Sequence, residues 1–123
     1  MPLHVRARLS YFNVPVVGGT TDPASALGLL KEVATADDFV AIKIDIDGGP
    51  ELEIVRQIVA DESVAALIDE LYFEYHFYFD GLNFGWATHA RGEHHSSGMH
   101  DVDDALRLMR RLRERGIRAH FWV

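Results

Sequence analysis

The stretch FVAIKIDIDG, residues 39–48, decides the fold, because Val40, Ile42, Ile44 and Ile46 form a β-branched run that ends with Asp45 and Asp47 just before Gly48. A run this apolar, interrupted before its acids only by Lys43, predicts a strand covered on both faces in a mainly parallel sheet. In open α/β sheets ligands bind outside the carboxyl ends of the strands, so the two aspartates stand where a site is expected. LYFEYHFYF, residues 71–79, repeats the arrangement with Glu74 and His76 at the same spacing of two. Side chains alternate along a strand, so each polar pair shares one face. Two such strands side by side would gather Asp45, Asp47, Glu74 and His76 into one cluster.

Working outward, HVRARLSYFNVPVV (residues 4–17) alternates loosely and reads as a strand with Pro15 near its end. Thr20-Thr21-Asp22-Pro23 then starts a helix over residues 24–33, with Asp22 as the cap and Pro23 at the first helical position. Gly48-Gly49-Pro50 opens the next helix. Leu52, Ile54, Val55, Ile58 and Val59 form its apolar face, Glu51 and Glu53 favour its positive end, and residues 61–67 continue or restart it. Residues 80–100 hold four glycines without periodicity and read as a long loop. Asp101 caps a helix over residues 102–115, Gly116 stops it, and IRAHFWV (residues 117–123) is a final strand.

This alternation predicts one α/β domain over residues 1–123, with a mainly parallel or mixed sheet of about four strands and flanking helices. A sheet that small leaves open edges, for which a second copy or further protein is the expected cover.

The 123 residues are 48% apolar and 25% charged, the make-up of a single small folded domain. Twelve Lys and Arg against 19 Asp and Glu leave a formal charge of −7, which disfavours nucleic acid as a partner. Cysteine is absent, excluding disulfides, thiolate metal ligation and a cysteine nucleophile. No stretch approaches the ~20 apolar residues of a membrane span and no signal-type segment opens the chain, so a cytoplasmic protein without a membrane partner is expected.

Each candidate has a structural reading beside the functional one. Asp45 lies inside an apolar run and needs a partner, whether Lys43, His76 or a ligand. Asp47 reads equally as the cap of the following helix. Glu74 reads as an ion-pair partner of Lys43 or as a functional acid, while His76, nearer the strand's end, is the better catalytic or binding candidate. His89, His94, His95 and His100 fit no metal-ligand spacing, so no metal is assigned. Arg107, Arg110, Arg111, Arg113, Arg115 and Arg118 read as a solvated helix face, interrupted by Glu114 and favoured by the helix dipole.

KIDIDGGPE followed by ELYFEYH resembles the later half of the FkbM-type methyltransferases, S-adenosylmethionine-dependent enzymes with a Rossmann-like fold. The resemblance spans residues 21–123. Asp45, Asp47, Gly48 and Glu51 match the family's strand-end acids, turn glycine and early helix glutamate. Glu74 and His76 match the end of its following strand, and residues 106–123 match its final helix, glycine and strand.

The resemblance implies a partial Rossmann-like domain related to O-methyltransferases that act on a small molecule or sugar. It implies catalytic roles for Asp45, Asp47, Glu74 and His76, and S-adenosylmethionine contacts at Asp47, Gly48 and Glu51. Two departures stand out. Gly49-Pro50 lengthens the turn before Glu51, and no glycine-rich G-x-G loop follows an early strand, so the N-terminal cofactor-binding half is missing. Two other readings use the same residues. One takes Asp45-Ile46-Asp47 as the D-x-D of a glycosyltransferase holding manganese or magnesium against a nucleotide sugar. The other is a non-catalytic interaction module that pairs with a second copy.

Overall fold

The computed structural model describes residues 2–19, 22, 25–46, 49–75 and 102–122. Among them the chain forms α1 (Leu3–Arg6), α2 (Ala26–Val33), β1 (Ala41–Ile44), α3 (Gly49–Ala60), α4 (Glu62–Ala65), β2 (Glu70–Glu74), α5 (Val102–Glu114) and β3 (Arg118–Trp122). The three strands lie in the order β1-β2-β3 and both pairings are parallel. An α/β domain with a parallel sheet and flanking helices therefore stands, with three strands where about four were expected.

The missing strand is the first. Residues 4–17 form a helical turn at Leu3–Arg6 and then irregular chain, touching strand geometry only at the isolated bridge between Val17 and Ser25. Leu9, Tyr11, Phe12 and Val14 stay exposed along it. A loose alternation is a local property, whereas a strand exists only where a neighbour supplies its ladder.

Register explains the core. Ile42 lies beside Leu71 and Leu71 beside Ala119, while Ile44 lies beside Phe73 and Phe73 beside Phe121. Ile44, Leu71, Phe73 and Ala119 are buried and pack with Leu52, Val55, Ile58 and Val59 of α3 and with Ala105, Leu108, Met109 and Leu112 of α5. Leu27 of α2 and Val64 and Ala65 of α4 join the same cluster. Both crossovers step the same way along the sheet, and a common right hand puts their helices on one side.

The opposite face carries Lys43, Arg118, His120 and Trp122, all exposed, and Glu70, Tyr72 and Glu74, all half-buried. The expectation of two covered faces is thus corrected among the described residues: only the face bearing Ile44, Leu71 and Phe73 packs into the core. Sheets that are wholly parallel are ordinarily covered on both sides.

The connections account for the helix ends. Ser25, not Asp22, caps α2: its backbone is extended and its Oγ accepts from the Gly28 N–H at 3.1 Å. Pro23, expected at the first helical position, and Asp101, expected to cap α5, lie outside the described residues. Asp61 ends α3 and restarts the chain as α4, its Oδ1 accepting from the Ser63 and Val64 N–H groups at 2.9 and 3.3 Å. The Ser63 hydroxyl, foremost among these donors, holds the Asp61 carboxyl below its ordinary range. At the end of α5, Gly116 takes φ +91°, a left-handed conformation that glycine adopts without strain, and turns the chain into β3. Among the described residues no helix is long and apolar enough to cross a membrane.

Candidate functional site

The carboxyl ends of β1 and β2 form one rim. Ile44 and Phe73 are paired in register, so Asp45 and Glu74, the next residue of each strand, stand at neighbouring positions. Alternation places Asp45 with Lys43, and Glu74 with Tyr72, on the open face. The Lys43 ammonium donates to Asp45 Oδ2 and lies 4.3 Å from the centre of the Trp122 ring. Asp45 remains exposed and Glu74 half-buried. Two of the four expected catalytic residues, Asp45 and Glu74, are thereby brought to one edge. The other two, Asp47 and His76, lie outside the described residues, as does Gly48.

Glu51 has a different position from its neighbours. It is 0% exposed, in the first turn of α3, and its Oε1 accepts from the Ile46 N–H at 2.8 Å. A carboxylate at this point satisfies a backbone donor just beyond β1 and favours the positive end of the helix. It fastens the segment carrying Asp45 to α3.

The sequence reading missed what lines the open face beside this rim. Tyr72 and His120 are register partners whose rings stack at 4.9 Å and 18°, and Trp122 meets Tyr72 edge-on at 6.3 Å. Arg118 pairs with Glu70 at 3.1 Å and lies 5.5 Å from the centre of Phe39. The signal was available in LYFEY and RAHFW, where alternate residues are aromatic or charged. Its meaning depends on the two strands being adjacent and parallel.

Most arginines of α5 and the turn after it take structural partners. Arg107 pairs with Asp104 and Arg110 with Glu114. Arg113 donates to the Ala119 carbonyl at 2.9 Å, and Arg115 donates to the Val59 carbonyl and pairs with Glu62. His89, His94, His95 and His100 lie outside the described residues, and among the described residues no three His, Asp or Glu side chains gather as a metal site.

Asp45 and Glu74 suit the hydroxyl and ammonium groups of S-adenosylmethionine, since carboxylates accept hydrogen bonds from both. A backbone cradle for its adenosine is not found among the described residues. The two described glycines with left-handed φ lie elsewhere, Gly19 donating to Gln57 at 2.6 Å and Gly116 at the opposite rim, before β3. The described residues therefore fit only part of that cofactor. No family model, curated protein or solved structure matches the chain.

Proposed function

We propose that this chain is a methyltransferase-like α/β domain, related to the S-adenosylmethionine-dependent O-methyltransferases, that contributes the acceptor side of a site. The observation that carries this reading is the register pair Ile44 and Phe73, which puts Asp45 and Glu74 one residue further on at the carboxyl ends of adjacent parallel strands. In this reading Asp45 orients a hydroxyl or ammonium group of the bound molecule. Glu74, assisted by His76, accepts the proton of a small-molecule or sugar hydroxyl. Glu51 acts only by holding the turn in place.

Calorimetric titration of the chain with S-adenosylhomocysteine tests the assignment. Saturable binding in the millimolar range, lost in Asp45→Asn, is the expected outcome. Absence of heat through that range removes cofactor recognition from this chain.

The open sheet face supports a second reading, an interaction module that pairs with another copy of itself. Its cations already have carboxylates beside them, Lys43 with Asp45 and Arg118 with Glu70, so two such faces meet without strong repulsion. Light scattering on a size-exclusion column is expected to give twice the chain mass, falling to the single mass in Trp122→Asp. A monomer at every concentration tried counts against it.

A further inference from the structure

α3 and α5 lie side by side over the same face of the sheet, and between them runs a groove of about 410 Å³ that the rim does not use. Leu52 and Leu108 form apolar walls, and Tyr75, 5% exposed, is a third lining residue at the end of β2. Into this groove come three guanidinium groups: Arg56 from α3, one turn after Leu52, and Arg107 and Arg111 from α5, one turn apart. Asp104 contributes the single carboxylate among the described lining residues and pairs with Arg107. Arg56 and Arg111 have no ion-pair partner among the described residues.

Three arginines from two helices line this one groove, a local concentration of positive charge in a protein whose overall formal charge is −7. We propose that the α3–α5 groove binds a small organic phosphate monoester through Arg56 and Arg111, with Arg107 completing the charge. Among the described lining residues three guanidinium charges less one carboxylate leave two positive charges, which match the near-dianion of a phosphate monoester at neutral pH better than a monoanionic carboxylate. Guanidinium presents paired N–H donors in a planar fork, and a phosphate accepts two at once. The leucine walls suit the organic part of the ester. A volume of about 410 Å³ lies within the span of small-molecule sites. Neither Asp45 nor Glu74 lines the groove, which is independent of the methyltransferase reading.

Phenyl phosphate, titrated at constant ionic strength and followed through backbone amide and arginine Nε–H resonances, tests the proposal. Saturable shifts at Arg56 and Arg111 are expected, with Arg56→Gln or Arg111→Gln each raising the dissociation constant about tenfold or more. Both residues are exposed on helix surfaces, so these variants keep the fold. Arg110→Gln, which removes the partner of Glu114 outside the groove, leaves binding unchanged. Benzoate binds more weakly than phenyl phosphate. No saturable binding through the millimolar range, equal weakening by Arg110→Gln, or benzoate matching phenyl phosphate would each overturn the assignment.

Discussion

Phe73→Ala is expected to cost about 3–5 kcal/mol of folding stability, the usual penalty for truncating a fully buried phenylalanine. Phe73 is 0% exposed in the central strand, paired in register with Ile44 on one side and Phe121 on the other. Its ring meets Tyr75 edge-on at 6.0 Å. Removing it opens a void where the strand packs into the core beneath the helices, and the surrounding elements close over such a void only in part. Small domains are stable by roughly 5–15 kcal/mol, so this single change removes a large share of the total. Tyr72→Ala, one residue earlier and on the open face, provides the contrast. Tyr72 is half-buried and its ring packs on His120 and Trp122, so a loss of about 1 kcal/mol is expected from its aromatic contacts. Urea unfolding of the two variants measures the difference, and equal losses would contradict the one-sided core.

Glu51→Ala is expected to cost about 2–3 kcal/mol, because it removes a charged acceptor and leaves the Ile46 N–H to find another partner. Asp45→Asn, which alters an exposed carboxylate paired with Lys43, is expected to cost under about 1 kcal/mol. The two acids lie close in sequence and look alike in the motif. The structure separates them, burying Glu51 against the chain and exposing Asp45 at the rim. Thermal or urea unfolding of both variants checks this division. A neutral Glu51→Ala would mean that the carboxylate faces a ligand and not the Ile46 amide.

The sequence made the strands and long helices legible because their patterns are local and redundant. LYFEY alternates Leu71, Phe73 and Tyr75, all buried, with Tyr72 and Glu74, which are half-buried. Helix α5 buries Ala105, Leu108, Met109 and Leu112 at helical spacing and ends at a glycine. The neighbouring positions of Asp45 and Glu74 followed from strand ends alone. What escaped depended on partners distant in the chain. Residues 4–17 have the composition of a strand but, among the described residues, pair only at Val17 with Ser25.

Asp22 and Ser25 are both good caps three residues apart, and only the start of helical backbone at Ala26 decides between them. Val40, Ile42 and Ile44 pack at the covered face while Lys43 and Asp45 stand exposed on the open one, an alternation already written in VAIKID that the run's overall apolarity masked. Arg56 reads as an ordinary surface residue of α3 until α5 packs beside it and brings Arg107 and Arg111 to the same groove. Tyr72, His120 and Trp122 likewise become one surface only in the parallel register.

Amide resonances followed during a titration with S-adenosylhomocysteine test most directly whether the ends of β1 and β2 form a recognition rim. Saturable shifts are expected at Asp45, Ile46 and Glu74, and they are expected to vanish in Asp45→Asn. Shifts confined to the opposite rim, around Asp69 and Arg118, or no shifts through the millimolar range, would contradict the account.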